Sequence, residues 1–429
     1  MRKKVRIALL GLGNVGRGVW KILDTNREEV SERSGYDIEV AKILVRDKSK
    51  NRGFDVPEEL LTTDPEEVFN DDSIRIIVEV MGGIDPARDY MMRAIKSKKH
   101  VITANKFAIA TVGDELIEEA KKNGVMLYYE ASVAGGIPII NGLNEALTAN
   151  KIEEIVGIIN GTTNYMLTKM TYESCDFETA LKEAQEKGYA EADPTADVDG
   201  YDALYKIRIL TSLAVGANYD VEKIYREGIR QIKPIDIKYA KKFGYVIKLL
   251  AISKVSDGGL EIRVHPAMIS ERHPLANVND SFNAIFLKGN AIGDLMMYGR
   301  GAGDLPTGSS VVADIISILR KDIDNYTTPV ASKINETLEL KSMDETETEY
   351  YIRLTVKDIP GVLGQISTIL GESDVSISSM IQRGQGTENV ALFFVTHKTL
   401  EGNINKSMEE IKKLSFVEEV NNIIRVEKL

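Results

Sequence analysis

Apolar strands alternate with helical segments over the first third of the chain. The apolar, β-branched runs fall at 5–10, 38–45, 74–80, 100–103 and 125–130. Continuous apolar strands separated by helices are typical of a parallel sheet that is covered on both faces. The pattern therefore predicts an α/β domain with a doubly wound parallel sheet over residues 1–135.

The pattern changes after residue 151, where a strand of mixed polarity is followed by two stretches with helical spacing. Further strand patterns occur at 245–254, 259–269 and 283–288. We expect a second domain of the α+β class over 136–303. A glycine-rich loop then leads into a helix with Pro306 near its start, where helix N-termini favour proline. This helix, about 304–330, is expected to pack back on the first sheet.

The last part of the chain has the order strand, helix, strand, strand, helix, strand over residues 351–429. This order predicts a compact βαββαβ unit of the ferredoxin-like type. The polar and partly acidic stretch before it, 331–350, is interpreted as a linker.

Composition narrows the class of protein. A chain of 429 residues is too long for one core and indicates two to three domains. Its formal net charge of −11 argues against nucleic acid as the main partner. No apolar run reaches the length of a membrane span, and the lone Cys175 is typical of a reducing compartment. We expect a soluble, cytoplasmic protein.

A glycine motif follows the first predicted strand and opens a helix. The six residues are Gly11, Leu12, Gly13, Asn14, Val15 and Gly16. In this context the glycines allow a tight turn, a close approach to a pyrophosphate and close helix–strand packing. The free amides of the helix N-terminus favour an anion there. The motif predicts a dinucleotide site, and a glycine-rich turn without a ligand is the alternative.

The end of the second strand indicates which dinucleotide binds. An acidic residue there would hold a ribose 2′-hydroxyl, whereas an arginine suits a 2′-phosphate. Arg46 follows the strand directly, among further basic residues at 48, 50 and 52. NADP is therefore favoured and NAD stays possible. A solvated basic loop would explain the same residues.

Other polar positions follow predicted strands. Thr103 and Lys106 stand after the fourth strand, at the edge where open α/β sheets bind ligands. Glu130 opens a small-residue turn whose carbonyls could hold a hard cation, although composition alone favours a plain crossover loop. Thr162 or Thr163 could cap a helix or hold a substrate carboxylate. The four histidines lack the spacing of metal ligands.

The stretch 188–210 crowds acidic residues against one lysine. Asp202 and Lys206 stand four apart on a helix that is otherwise apolar. An exposed ion pair is the simplest explanation. The apolar surroundings instead indicate burial, which would lower the pKa of the lysine and make it a candidate acid–base group.

Six motifs occur in an order that resembles homoserine dehydrogenase. They are GLGNVG, TANK, EASVAGGIP, GIINGTTNYML, GYAEADPTADVDGYDALYK and GRGAGDLPT. The later KDIPGVLGQIS is similar to the opening of an ACT domain, a small amino-acid-sensing module. The resemblance covers essentially the whole chain. It implies a Rossmann-type cofactor domain and the NAD(P)H-dependent, reversible reduction of L-aspartate 4-semialdehyde to L-homoserine.

The resemblance also implies roles for individual residues. Lys206 would be the catalytic acid/base, with Lys106 beside it near substrate and nicotinamide. The residues implied to bind the substrate or support its site are Glu191, Asp202, Asp197, Thr162 and Tyr189. Gly188 and Gly303 would approach the cofactor, together with Thr103. A monovalent cation such as sodium would be held by Glu130 and the carbonyls of Val133, Gly135 and Ile137.

Two other functions compete with this one. Aspartate-semialdehyde dehydrogenase would need a thiol nucleophile, and Cys175 has no activating neighbour in sequence. A catalytically silent sensor of NADP and an amino acid would not need a buried lysine. We further expect threonine as the effector of residues 351–429, with dimerisation alone as the alternative, and a homodimer or larger assembly.

Overall fold

The computed structural model describes residues 2–216, 218–256, 259–321, 338–384 and 388–429. The strands of this part are β1 (Lys3–Leu10), β2 (Tyr36–Leu44), β3 (Leu61–Thr62), β4 (Ile74–Glu79), β5 (His100–Thr103), β6 (Leu127–Tyr128), β7 (Ile152–Ile158), β8 (Tyr225–Arg226), β9 (Tyr245–Ser256), β10 (Gly259–Ser270), β11 (Phe282–Gly289), β12 (Gly293–Arg300), β13 (Glu347–Lys357), β14 (Ile377–Arg383), β15 (Asn389–Thr396), β16 (Thr399–Leu400) and β17 (Val417–Glu427).

The helices of the same part of the chain are α1 (Asn14–Thr25), α2 (Arg27–Ser34), α3 (Glu66–Phe69), α4 (Ala87–Lys96), α5 (Lys106–Asn123), α6 (Ile139–Asn141), α7 (Gly161–Glu173), α8 (Phe177–Glu186), α9 (Thr195–Val198), α10 (Tyr201–Val215), α11 (Pro234–Lys242), α12 (Asp304–Arg320), α13 (Val362–Glu372) and α14 (Glu401–Ile411).

The chain forms two compact units, each built from three separate segments. Unit 1 comprises Met1–Ile152, Tyr205–Val221 and Asn283–Glu336; unit 2 comprises Glu153–Leu204, Glu222–Phe282 and Thr337–Leu429. The boundary falls inside α10, whose first turn belongs to unit 2 and whose remainder belongs to unit 1.

Unit 1 contains the predicted doubly wound sheet. Its six strands lie in the order β3-β2-β1-β4-β5-β6 and pair in parallel. Ile7, Leu9, Ile76 and Val78 are wholly buried in its core, which explains the continuous apolar runs. The Rossmann-type fold expected for this part of the chain is confirmed.

Helix α12 packs on α1 in unit 1, through glycine in both helices. A Cβ at Gly18 would come within 1.8 Å of the Asp304 carbonyl oxygen, and one at Gly308 within 2.6 Å of the Gly18 carbonyl carbon. The predicted helix therefore packs back on the parallel-sheet domain, where Val311, Ile315 and Ile318 join its core. It ends at Arg320, and the rest of its predicted range, 322–330, lies outside the described residues.

Unit 2 is built on one mixed sheet with the strand order β7-β9-β10-β17-β13-β15-β14. The long hairpin of β9 and β10 is antiparallel, whereas β10 and β17 pair in parallel through Ala267, Met268 and Ile269. Strands β13, β14, β15 and β17, with α13 and α14, form the predicted βαββαβ unit around a core that includes Tyr350, Ile352 and Phe394.

The elements of the later domains differ from the sequence prediction in two places. Strand β12, which the pattern missed, has exposed residues along its length and a glycine at its first position. Strand β13 begins at Glu347, within the range interpreted as a linker, and residues 331–337 of that range lie outside the described residues. Among the described residues, no helix is both long and apolar enough to cross a membrane.

Candidate active site

The glycine motif forms a tight turn between β1 and α1. Gly11 has φ +106°, and a Cβ there would lie 2.9 Å from the Val80 carbonyl oxygen. A Cβ at Gly16 would lie 2.5 Å from the Gly11 carbonyl oxygen, so both positions require glycine. No heavy atom would lie within 4 Å of a Cβ at Gly13, the N-cap of α1. The open space at Gly13 fits the approach of a pyrophosphate to the first amides of the helix.

Arg46 stands at the exposed start of the loop after β2. The end of β2 lies beside the glycine turn, because the Gly11 amide donates to the Leu44 carbonyl over 2.9 Å. Arg52 folds back on its own loop and donates to the carbonyls of Lys50, at 2.8 Å, and Asp47, at 2.5 Å. Arg52 therefore shapes the loop, while Arg46 stays exposed toward solvent.

A buried carboxylate ties the ends of β4 and β5 together. Thr103 donates its hydroxyl to Glu79 over 2.6 Å and accepts the Asn105 amide over 2.9 Å. Glu79 also accepts the amide of Met81 at 2.7 Å. The Thr103 hydroxyl thus supports the strand ends. Glu79 could not be singled out in the sequence, because an acid at the end of an apolar strand resembles any strand terminus.

Lys106 is the first residue of α5 and follows the N-cap Asn105. The Asn105 side chain accepts the Ala108 amide at 3.1 Å and donates to the Gly83 carbonyl at 2.6 Å. These bonds fix the start of α5 at the carboxyl edge of the sheet. Lys106 is thereby placed where open α/β sheets bind ligands.

Helices α5 and α10 pack together within unit 1. The rings of Phe107 and Tyr205 meet edge to face with centroids 5.0 Å apart. Arg208 pairs with Asp114 at 3.1 Å. Lys206 is 8% exposed on α10, so its side chain is almost wholly removed from solvent. The residues next to Lys106 and Lys206 are in contact, which brings the two lysines to one region of unit 1.

An asparagine holds two carboxylates of the acidic stretch in unit 2. The Asn160 side chain donates to Asp197 at 2.7 Å and to Asp202 at 2.9 Å, while its oxygen accepts the Thr163 amide at 2.8 Å. Asn160 is therefore the N-cap of α7, and the expectation that Thr162 or Thr163 caps this helix was wrong. Asn and Thr are both common N-cap residues, and the stretch contains them at 160, 162 and 163, so the sequence left the position of the cap open.

Tyr189 and Glu191 belong to the acidic loop, residues 187–200 between α8 and α10, and Thr162 of α7 bonds to this loop. The Thr162 hydroxyl donates to the Tyr189 carbonyl at 2.6 Å. Tyr189 packs on Tyr165 with ring centroids 4.9 Å apart. Glu191 is exposed, and Gly188 has φ +73°, with space for at least 4 Å around the position that a Cβ would take. The Thr162 hydroxyl thus holds the loop, while Glu191 and Gly188 face open space.

Glu130 is buried at the turn after β6. Its carboxylate accepts the amides of Ile140 at 2.9 Å and Asn141 at 2.6 Å. Burial raises the pKa of Glu130 to about 7 and holds the pKa of Asp314 well above its usual value. Asp314 accepts the Glu130 amide through one oxygen, and its other oxygen, Oδ1, has no hydrogen-bond partner.

The residues of the same turn whose carbonyls are expected to hold the cation are also buried. Val133 and Ile137 have almost no exposed surface. Gly135 has φ +54°, and its carbonyl accepts the Ser310 hydroxyl at 2.6 Å. The two buried acids, Glu130 and Asp314, and the unpaired Oδ1 of Asp314 fit a bound cation. Nowhere in the described ranges do three or more His, Cys, Asp or Glu side chains form a cluster that could hold a metal ion by themselves.

Two further residues complete the predicted set. Gly303, with φ +122°, is the N-cap of α12 in unit 1. Cys175 is partly buried, and burial raises the pKa of its thiol, which disfavours the thiolate. The thiol therefore lacks the activation that a semialdehyde dehydrogenase nucleophile needs.

Known families match three consecutive parts of the chain. Residues 11–130 match the NAD binding domain of homoserine dehydrogenase, 138–316 match the homoserine dehydrogenase model and 350–416 match the ACT domain.

Relatives match over the full length. The chain is 43% identical to homoserine dehydrogenase of Synechocystis sp., over 98% of this chain and 99% of the relative. It is 42% identical to the crystal structure of a homoserine dehydrogenase from Thiobacillus denitrificans, with a TM-score of 0.94 and full coverage of both chains. A hyperthermophilic archaeal homoserine dehydrogenase in complex with NADPH aligns with a TM-score of 0.61 and 30% identity, over 73% of this chain and 97% of that chain. With a nicotinamide-binding fold, a buried lysine on α10 and full-length relatives of one kind, the chain belongs to the homoserine dehydrogenase family and carries an ACT domain.

Proposed function

We propose that this homoserine dehydrogenase reduces L-aspartate 4-semialdehyde to L-homoserine with NADPH, and that Lys206 is its general acid. The observation that carries the proposal is the placement of Lys206, 8% exposed on an apolar helix and one turn after Asp202. A surface ion pair would not require that burial. Lys106, at the start of the neighbouring helix α5, is the second cation of the site.

The cofactor is held by the first βα turn. The amides that open α1 bind the pyrophosphate, with Gly13 leaving room for its approach. Arg46 pairs with the 2′-phosphate, which distinguishes NADPH from NADH. The archaeal relative in complex with NADPH supports this preference. When bound, the reduced nicotinamide supplies the hydride to the carbonyl carbon of the semialdehyde.

Lys206 supplies the proton. As the carbonyl carbon gains the hydride, its oxygen becomes an alkoxide, and the Lys206 ammonium donates a proton to that oxygen. The lysine then recovers a proton from water. In the reverse direction, neutral Lys206 takes the hydroxyl proton of homoserine. Lys106 stabilises negative charge on the same oxygen as it develops.

The acidic stretch recognises the amino-acid part of the substrate. Asp202 and Glu191 bind the substrate ammonium, while Asp197 shares the Asn160 amide with Asp202 and so fixes its position. Tyr189 and Thr162 shape the loop that carries Glu191. The carboxylates also help to keep the two lysines charged.

A spectrophotometric assay tests the function. Purified full-length protein should oxidise NADPH only when aspartate 4-semialdehyde is present, and product analysis should give homoserine. Omission of phosphate distinguishes the rival semialdehyde dehydrogenase, which forms an acyl phosphate in the opposite redox direction. Binding of NADPH without turnover would instead support a silent sensor and reject the proposal.

A monovalent cation such as sodium is held by Glu130 and the carbonyls of Val133, Gly135 and Ile137. The support is the orphaned Asp314 Oδ1 and the raised pKa of two neighbouring buried acids. Sodium should raise the Tm more than choline at equal ionic strength, and Glu130→Gln should remove the difference. Equal Tm values in both salts for the wild type would reject this site.

The ACT domain binds an end-product amino acid, with threonine as the first candidate. A cavity of about 410 Å³ lies at the start of α13, lined by Asp358, Pro360, Gly361 and Gln382 among others. The α13 amides suit the ligand carboxylate, and Asp358 suits its ammonium. The alternative is an ACT domain that only mediates dimerisation.

Calorimetry on the full-length protein separates the two roles. Threonine should bind and inhibit the wild type, and Asp358→Asn should lose both effects while keeping basal activity. A wild type that neither binds threonine nor is inhibited at millimolar concentrations would leave dimerisation as the only role. Inhibition requires two states of different threonine affinity, so binding without inhibition would also reject feedback control.

The remaining proposals concern organisation. The protein is a homodimer or larger, and it works in the cytoplasm, in keeping with its single cysteine. Its functional parts are a cofactor domain of residues 1–135 with the returning helix, a substrate and dimerisation domain of 136–303, and an effector domain of 351–429 reached through the stretch 331–350.

A further inference from the structure

Arg425 of the ACT domain bridges two carboxylates that belong to different domains. Its guanidinium donates to Glu401, at the start of α14, with Nε 2.9 Å from the carboxylate. The same group pairs with Glu227, which follows β8, and donates to the Tyr225 hydroxyl at 2.8 Å. Arg425 is 4% exposed, and its contact with Glu401 is buried, whereas the Glu227 side chain keeps 29% of its surface exposed. A buried charge with such partners fixes their positions.

Arg425 holds segment 225–230, and the backbone of this segment packs directly against the acidic loop. The Ile229 amide donates to the Val198 carbonyl at 2.8 Å. A Cβ at Gly228 would lie 2.2 Å from that same oxygen. The backbones are therefore as close as glycine permits, and segment 225–230 cannot shift without moving residue 198.

Two arginines of segment 225–230 also contact the acidic loop through their side chains. Arg230 pairs with the Asp199 carboxylate at 2.6 Å. The Arg226 guanidinium lies 3.6 Å from the ring centroid of Tyr201 and donates to the Asp199 carbonyl. These contacts hold the short stretch between the carboxylates Asp197 and Asp202.

We propose that Arg425 is a positioning residue for the amino-acid site, acting through segment 225–230 on Asp197 and Asp202. Part of the substrate site is then held in place by the ACT domain. The inference rests on the proposed role of Asp202 in substrate binding. It extends that role by identifying the contact through which a change in the ACT domain reaches the substrate.

A second bridge between the same domains provides the matched control. Arg353 of β13 pairs with buried Asp236 at 2.7 Å, and Tyr351 and Asn422 bind the same carboxylate. This bridge ends on the first turn of α11 rather than on segment 225–230. Its loss should weaken domain docking without releasing the acidic loop.

The experiment compares Arg425→Met with Arg353→Met in the full-length protein. Arg425→Met should raise the KM for aspartate semialdehyde about tenfold, with the KM for NADPH nearly unchanged. Arg353→Met should lower the Tm to a similar extent and leave both KM values nearly unchanged. Equal rises in semialdehyde KM for both variants would show a general docking effect and overturn the proposal, as would no rise for Arg425→Met.

Milder variants keep the test valid if Arg425→Met fails to fold. Glu227→Gln and Tyr225→Phe each remove one contact on the catalytic side and should also raise the semialdehyde KM selectively. Arg425→Lys should restore part of the wild-type value, because it keeps the charge. Unchanged KM values in Glu227→Gln and Tyr225→Phe would overturn the proposal.

A double-mutant cycle then tests the route. Arg230→Met releases the loop end of segment 225–230, so combining it with Arg425→Met should raise the semialdehyde KM little beyond the larger single effect. Multiplied effects would show independent action and contradict the route. If Asp202→Asn leaves the semialdehyde KM unchanged, the proposed substrate site fails; if it raises that KM and Arg425→Met does not, only the positioning role fails.

Discussion

Phe107 and Tyr205 pack edge to face with ring centroids 5.0 Å apart, and each is the chain neighbour of a lysine of the proposed site. Phe107 belongs to the first turn of α5 after Lys106, and Tyr205 precedes Lys206 on α10. The aromatic contact, with the Arg208–Asp114 pair beyond it, fixes the two helices against each other. Two cations from distant parts of the sequence are thereby placed by the packing of the residues next to them.

The glycine turn offers a pair of matched substitutions. In Gly13→Ala the new methyl group would lie in open space, and the backbone φ of −82° suits alanine, so the Tm should be unchanged. The KM for NADPH should rise, because the methyl group occupies the space that the pyrophosphate needs. Gly16→Ala places a methyl group 2.5 Å from a carbonyl oxygen and should destabilise the protein by about 2 kcal/mol. Thermal unfolding and initial rates on both variants check this. A Gly13→Ala enzyme with wild-type NADPH affinity would show that no pyrophosphate approaches this position.

Arg46→Ala should weaken the binding of NADPH about tenfold or more and should hardly change the binding of NADH. Only NADPH carries a 2′-phosphate that can form a charge-assisted hydrogen bond with Arg46. The measurement is the KM for each cofactor at saturating semialdehyde. Lys50→Ala, in the same exposed loop, is the control and should change both values little. Equal losses for the two cofactors would contradict the assignment of Arg46.

Asp202→Asn should raise the KM for aspartate semialdehyde about tenfold, since a charged partner of the substrate ammonium is lost. The NADPH KM should stay at its wild-type value. Glu191→Gln should act in the same direction, and Glu186→Gln, an exposed acid at the end of α8, serves as the control. A defect confined to NADPH would remove Asp202 and Glu191 from the substrate site.

Lys248 should make the free energy of unfolding depend on pH in the alkaline range. Burial lowers its pKa from 10.5 to about 8, and its side-chain nitrogen donates to the Val278 carbonyl and to Asn164 and Asn279. The unfolded chain binds the proton more tightly between these two pKa values. The contribution of Lys248 to stability is therefore present above pH 10.5 and is lost as the pH falls through 8.

Urea unfolding of the wild type and Lys248→Met measures this effect. The stability of the wild type relative to the variant should increase by about 3 kcal/mol between pH 8 and 10.5. A difference that stays constant over this interval would show that Lys248 keeps an ordinary pKa.

Local patterns predicted the elements that bury continuous apolar runs, such as β4 and β10, because burial on both faces leaves a simple signature. They missed β12, which has little buried surface. This strand lacks the buried apolar run that sequence reasoning depends on.

The site was predictable only where one short motif contains it. The glycine turn, and the pair of Asp202 and Lys206, can be found by spacing along the chain. The Arg425–Glu227 bridge joins residues 198 positions apart, and Glu130 meets Asp314 across 184. Such contacts arise from the packing of whole elements, and no local pattern contains them.

The turnover of Lys206→Ala is the sharpest test of the proposed mechanism. Semialdehyde reduction should be followed at saturating NADPH and substrate, with NADPH binding and Tm measured on the same preparation. We expect kcat to fall by about 10² or more while NADPH binding is nearly unchanged, because a positioned proton donor is lost and the cofactor site is not. A correctly folded Lys206→Ala enzyme with near wild-type kcat would contradict the role of Lys206 as the general acid.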